Sequence, residues 1–437
     1  MKTLIHNALI INEGHSFLGA LLVDGEQIVS LFQSGDTLPE ADIQVNAQGA
    51  YLIPGVIDSH VHFREPGLSR KGDTASESRA ALAGGVTSVM DMPNVSPQTT
   101  SNTLWQERMD IGKREMRVNY AYYLGATNDN LAEIKNVDRN RVPAIKLFMG
   151  SSTGGMLVEK ETSLRAIFRH SPLPIMTHCE DTSCIVERMK EAQKLWGDDP
   201  HVRFHPWIRS REACLLSSES AVRLAREEDA KLHIAHVSTE EELQLAGENV
   251  STEACVGHLI FSEEDYERLG TRIKVNPSIK SLQDRDALRQ ALSDGRITTI
   301  ATDHAPHLIE EKVGGARQAA SGMPMVQFSL PCMLDLVQEG VLSIERMVEL
   351  MCHAPATLYQ VKNRGFIRPG YQADLVLVAP EPWTLTKADI LSKCAWSPLE
   401  GHTFRHRVLQ TYVNGCLAYD HGHVNDEVRG QALWFNR

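Results

Sequence analysis

The chain has 437 residues, 42% of them hydrophobic, and a formal net charge of −12. That length exceeds one ordinary domain and suits a large barrel with a small companion, with ample apolar material for a core. The acidic balance argues against a general binder of nucleic acid or of anionic membrane surfaces, and leaves room for a local basic pocket that takes a small anion.

Residues 1 to 52 read as short strands with turns, through "TLIHNALII", "FLGALLVDGEQIVSLF" and "ADIQVNAQGAYLI". Asp24-Gly25 marks a hairpin. The opening "MKTLIHNALIINEG" has a short apolar run, but polar residues interrupt it and no small-residue cleavage site follows, so no signal peptide is expected. No stretch approaches a membrane span. From about 53 to 365 short apolar runs alternate with longer amphipathic segments. The runs are "GVID", "VTSVMDM", "NYAYYLG", "AIKLFMG", "LPIMTHC", "LHIAHVS", "STEACVG" and "ITTIATD". Helix-like stretches lie between them, among them 102–116, 181–195, 210–228 and 283–294, and Thr239 with Glu242 offers a capping box. Eight strands alternating with helices predict an α/β fold, a (β/α)8 TIM-like barrel. After "GFIRPGYQADLVLV" strand-like alternation returns through "RVLQTYVNGCLAYD", so the two chain ends are expected to pair into a small β-sandwich domain. The expected division is 1–52 and 366–437 for that domain and 53–365 for the barrel. The eight cysteines are scattered without a CxxC pair, which points to reduced thiols in the cytoplasm. Cys179, beside His178, reads as a small buried hydrophobe.

Barrel enzymes carry their chemistry at the C-terminal ends of the strands. The first run ends in "IDSHVHFREPG", where His60, His62 and Arg64 recur at every second position and so share one face of a strand end. Two imidazoles held this way can bind one metal ion, and the arginine would be a bidentate anion clamp beside it. The chain contains a control: "DHGHV" repeats the spacing with His421 and His423, but no partner cluster surrounds it, and it reads as a surface loop. For the first pair the partners exist. The fourth strand carries Lys146, and later strands end with His178, His236 and Asp303, a set that predicts a metal centre. An ammonium cannot ligate a metal, but Lys146 sits among Ala144, Ile145, Leu147 and Phe148. Desolvation there would lower its pKa and leave a nucleophilic amine, able to add carbon dioxide and become a bridging carbamate.

The motifs "DSHVHFREPG", "MDMPN", "MTHCED", "HIAHVST", "VNPSIK" and "ATDHAPHLIEEK" resemble those of the amidohydrolase superfamily, and within it the dihydroorotases, in the same order and over nearly the whole chain. The HxH with a late aspartate is shared by the superfamily; "HFREPG" with "MPN" is more specific. The resemblance implies two divalent metal ions, expected to be zinc. His60, His62 and Asp303 would hold the first, His178 and His236 the second, and a carbamylated Lys146 would bridge them. A common dihydroorotase pattern uses an aspartate bridge, so this chain resembles the lysine-using members. Related chains often carry a fuller histidine pair near "VGHLIF", and His258 is assigned no role.

The same resemblance implies the substrate pair dihydroorotate and N-carbamoyl-L-aspartate, interconverted in pyrimidine synthesis. Asp303 would be the general base that passes a proton to the leaving ring nitrogen. Arg64 would pair with the substrate carboxylate, with Asn94 and His307 assisting and Asn276 against the ring. His201, His205, His304 and His353 are left as structural or solvated. The polar loop 308–322 reads equally as a lid or as ordinary surface. Allantoinase and dihydropyrimidinase are the nearest alternatives on this scaffold; allantoinases resemble "HFNEPG", with Asn in place of Arg64, and their substrate has no carboxylate. A catalytically dead scaffold subunit is the alternative from another class, and it should have lost metal ligands that are all present here. A homodimer and association with a transcarbamoylase complete the expectations.

Overall fold

The computed structural model describes residues 1–150 and 156–437. Eight parallel strands form the barrel, in the segments where the apolar runs place them. They are β1 (Val56–Val61), β2 (Val86–Asp91), β3 (Asn119–Tyr122), β4 (Ile145–Met149), β5 (Ile175–Cys179), β6 (Leu232–Ile234), β7 (Val250–Cys255) and β8 (Thr299–Ala301). Neighbouring strands pair in parallel from β1 to β3 and from β4 to β8. The short strand Leu124–Gly125 carries the chain on from β3 to pair with β4. The ring closes where His62 N donates to His304 O at 2.7 Å. The buried carboxylate of Asp58 ties the same seam, accepting from Thr302 Oγ1 at 2.6 Å and from Thr302 N at 3.2 Å.

The period of two explains what faces inward. Ala144, Lys146 and Phe148 alternate along β4, and Met176 and His178 along β5. Ala144 and Met176 join Ile57, Met90, Ala121 and Tyr123 in the core inside the barrel. Lys146 and His178 therefore sit one step above a packed floor.

The helices Asn102–Glu115, Thr182–Trp196, Arg211–Glu227 and Leu282–Asp294 occupy the expected stretches. Ser101, Asp181, Ser210 and Ser281 cap them, each side chain accepting from a first-turn backbone N–H. Glu242 N donates to Thr239 Oγ1 at 3.3 Å, but the expected capping box does not start a helix: the segment is a 3-10 turn, Glu242–Leu245, whose N-cap Glu241 makes no side-chain capping bond.

Both chain ends build one nine-stranded sheet. The halves join where Tyr51–Pro54 runs antiparallel to Leu375–Ala379, with Leu52 opposite Leu377. Asp24 and Gly25 turn the expected hairpin between His15–Asp24 and Gln27–Gln33, with Gly25 at φ +58°. The last residues return to the barrel floor: Leu433 and Phe435 pack against Tyr359, and Arg437 donates to Pro143 O, Tyr359 O and Val142 O. Among the described residues, no helix is long and apolar enough to cross a membrane.

Candidate active site

One narrow cavity at the C-terminal ends of the strands is lined by nine of the ten residues singled out from the sequence: His60, His62, Arg64, Asn94, Lys146, His178, His236, Asn276 and Asp303. The tenth, His307, stands behind Arg64, its Nε2 3.1 Å from Arg64 Nη2. A larger cavity of about 780 Å³ lies elsewhere, lined by Lys113, Arg141 and Trp434, and contains none of these ligand candidates.

The first cluster forms at the β1–β8 seam. His60 Nδ1 lies 2.7 Å from Glu253 Oε1, and His62 Nδ1 lies 2.8 Å from Asn94 Oδ1. Both partners are acceptors, so each ring carries its proton on Nδ1 and turns a bare Nε2 inward. Those nitrogens stand 3.3 and 3.0 Å from Asp303 Oδ1. Burial pulls the His62 pKa down to about 4, so the ring is neutral. Burial works against the charge of Asp303, but positive charge at this point, carried by His60, His62 and Lys146 when protonated or by a cation when they are not, holds its pKa well below the usual carboxylate range. Three lone-pair donors thus converge within 4.8 Å of one another, an arrangement that is repulsive by itself and fits a cation between them.

The second cluster adjoins the first, with the His60 and His236 rings 5.4 Å apart. His178 Nε2 lies 3.1 Å from Glu180 Oε2, which leaves Nδ1 bare, 2.9 Å from His236 Nε2. Arg209 in turn holds Glu180. Lys146 Nζ is buried without a hydrogen-bond partner among the described residues, and desolvation lowers its pKa. A buried ammonium without acceptors is costly, whereas a neutral amine that has taken up carbon dioxide would present two oxygens toward both clusters. The residues present therefore fit a two-metal centre of nitrogen and oxygen donors.

Arg64, His236 and Asp303 have φ of +69°, +38° and +48°. Non-glycine residues rarely adopt this region, and strain held where side chains converge is characteristic of functional sites.

The orienting carboxylates were not singled out from the sequence. Glu253 is a charged residue within the apolar run "STEACVG", and Glu180 lies two residues beyond His178; each position is a signal that could have found them. A second metal-capable group, His60, Glu253 and Cys255, shares the His60–Glu253 contact, and burial drives the Cys255 thiol well above its ordinary pKa. Cys179 is buried with a pKa raised to about 11 by desolvation. His421 and His423 lie on an exposed turn. His205, His258, His304 and His353 are buried against protein partners: Val275 O, Pro277 O, Glu77 and Gly365 O. The 308–322 loop is fastened rather than loose. Lys312 Nζ donates to Lys274 O, Ala320 O and Gly322 O, and Asp199 accepts from Gly315 N, Arg317 N and Gln318 N.

The amidohydrolase family model matches residues 51–417. The chain belongs to the amidohydrolase family. A dihydroorotase of Halobacterium salinarum is 35% identical over 91% of this chain and 92% of its own length. A dihydroorotase of Lactobacillus johnsonii is 31% identical over 97% of this chain and all of its own length. Among solved structures, an L-hydantoinase (dihydropyrimidinase) from Arthrobacter aurescens superposes with a TM-score of 0.92 at 26% identity, covering 97% of both chains. A dihydropyrimidinase from Brevibacillus agri, TM-score 0.90 at 21% identity, shares the fold. The family's barrel with a sheet domain from the chain ends is the architecture described above; the family is metal-dependent, and this chain is a cyclic amidohydrolase.

Proposed function

We propose that the chain is a dihydroorotase, a cyclic amidohydrolase that interconverts dihydroorotate and N-carbamoyl-L-aspartate in pyrimidine synthesis. The observation that carries this reading over a hydantoinase or allantoinase is Arg64. Its guanidinium lines the same cavity as the ligand cluster, and a ring with a carboxylate next to the scissile bond would use it.

His60, His62 and Asp303 would hold one divalent cation, His178 and His236 the second, and a carbamate on Lys146 would join them; the donor set suits zinc. Such a pair supplies hydroxide near neutral pH and polarises the ring carbonyl. The remaining work falls to the chain. Asp303 Oδ1 faces His60 and His62, while Oδ2 has no protein hydrogen bond among the described residues and is placed to take a proton and pass it to the ring nitrogen as the C–N bond opens. Arg64, backed by His307, receives the carboxylate; Asn276 lines the same cavity. Asn94 both lines the cavity and holds His62 through Oδ1, so it orients a metal ligand as well as facing substrate. Ring opening creates a second carboxylate and releases a proton, so acid favours the ring.

The domain division at 52/53 and 365/366, a homodimer and contact with a transcarbamoylase belong to the same proposal; light scattering alone and with a transcarbamoylase tests the last two. All eight cysteines are free, which supports a reducing compartment, the cytoplasm.

The test is metal analysis joined to kcat/KM for dihydroorotate, allantoin and an uncharged dihydropyrimidine, in wild type and Arg64→Asn. Wild type should contain two metals per chain and prefer dihydroorotate. Arg64→Asn should keep its metals and lose about 10²- to 10³-fold on dihydroorotate alone. Equal loss on every substrate, or preference for allantoin, would sink this reading.

A further inference from the structure

Lys71 lies in the turn after β1, outside the cavity lining, and its side chain is 18% exposed. Its ammonium has two partners. Nζ is 3.1 Å from His307 Nδ1 and 3.2 Å from Glu311 Oε2. Glu311 is itself fixed, accepting from Arg70 Nη2 at 2.7 Å and from Leu308 N at 3.1 Å. Trp396 Nε1 donates to His307 O at 2.7 Å, so the backbone beneath the imidazole is anchored as well.

These contacts decide the imidazole's tautomer. An ammonium only donates, so the nitrogen facing Lys71 must accept and Nδ1 is bare. A carbonyl only accepts, and His307 Nε2 is 3.0 Å from Ser321 O, so Nε2 carries the hydrogen. Arg64 Nη2 is 3.1 Å from that same Nε2. Two donors at this separation cannot bond each other, and with the Nε2 hydrogen held by Ser321 O, Arg64 Nη2 keeps its hydrogen for an incoming carboxylate oxygen.

Removing the ammonium leaves a specific alternative. His307 Nδ1 is 3.4 Å from Glu311 Oε2, so a ring released from Lys71 would carry its proton on Nδ1 and donate to that carboxylate. Its Nε2 would then hold a lone pair, accept from Arg64 and repel an incoming carboxylate. The clamp would close on itself.

We infer that Lys71 is a positioning residue which, through His307 Nδ1, keeps the His307 Nε2 hydrogen on Ser321 O, so that Nε2 has no lone pair to capture Arg64 and the guanidinium stays open to a carboxylate. The inference rests on the functional reading above for the identity of the carboxylate, but the tautomer does not depend on it.

The experiment uses the metal-loaded chain labelled with 15N-histidine, His307 being assigned by the signals lost in His307→Gln. The wild type should show His307 protonated at Nε2, Lys71→Met should shift it to Nδ1, and Lys71→Arg should restore it. In the same preparations Lys71→Met should lower kcat/KM for dihydroorotate by about 10- to 100-fold, mostly through KM, with metal content unchanged. In a His307→Gln background the same substitution should add little. An Nδ1 proton in wild type, an unmoved tautomer in Lys71→Met, or an equal loss in the His307→Gln background overturns the inference. A wild type inactive on dihydroorotate but with the expected nitrogen signals overturns the functional reading alone, because those signals need no substrate.

Discussion

At the scale of single residues, Lys146 and Asp303 divide the demands of the site. The Lys146 amine is buried with no acceptor among the described residues, which fits the proposed carbamate. Lys146→Ala is expected to lose most bound metal and activity, and a short carboxylic acid added to the variant should partly restore both. Two metals per chain with normal turnover in that variant would rule out the bridging role. Asp303 turns Oδ1 toward His60 and His62, and Oδ2 has no protein hydrogen bond among the described residues. Asp303→Asn keeps an oxygen donor but cannot carry the proton. The rate should therefore fall by about 10²-fold or more in both directions while part of the metal stays. Near-native turnover with metal bound would exclude the shuttle. Asp303 was legible because it lies at the end of an apolar run, where a barrel gathers its chemistry, and Lys146 because a charge inside the apolar run "AIKLFMG" stands out. Lys71 was not legible, because a lysine in a glycine-flanked turn looks like any solvated surface charge until His307 is brought against it by a contact 236 residues away in sequence.

At the scale of elements, β7 does more than close the wall. Its Glu253 is completely buried, accepts from Ser59 Oγ at 3.3 Å and from His236 N at 3.3 Å, and lies 2.7 Å from His60 Nδ1. One carboxylate thereby touches strands on both sides of the metal ligands. Burial raises its pKa, but the imidazoles of His60 and His233 outweigh that and hold it well below the ordinary value, so it stays ionised and keeps the His60 proton on Nδ1. Glu253→Gln keeps the shape and removes the charge. It is expected to weaken metal binding about 10- to 100-fold in a chelator competition, with little change in secondary structure by circular dichroism. Unchanged metal affinity would reduce Glu253 to a packing residue. The run "STEACVG" announced a strand, but which charged strand residue orients a ligand depends on the register of β7 against its neighbours, and that comes from tertiary pairing.

At the scale of the whole molecule, the chain closes its barrel with its own last residues. Phe435 is buried among Tyr123, Tyr359 and Val361 beneath the strands, and its N–H donates to Asn140 O at 2.9 Å. Phe435→Ala should cost about 3–5 kcal/mol of stability and lower the melting temperature while leaving metal content and KM near wild type. A melting temperature equal to wild type would show the tail to be dispensable to the fold.

What the sequence determined by itself was periodicity and residue chemistry: eight apolar runs separated by amphipathic stretches, strand-like ends, Lys146 inside one run, and His60, His62, His178, His236, Asp303 and Arg64 at the ends of runs or just beyond. These are local properties, set by side-chain alternation and by which atoms can donate a lone pair. What only the tertiary structure decided was how those groups are oriented. Glu253 and Asn94 fix the His60 and His62 protons, Glu180 fixes that of His178, and Lys71 fixes that of His307, each from a different segment. Asn94 thereby changed from a substrate contact alone to a partner of His62, and the 308–322 loop became a wall fastened by Lys312 and Asp199. An imidazole is ambiguous between two tautomers until a neighbour chooses one, and neighbours distant in sequence exist only once the chain has folded.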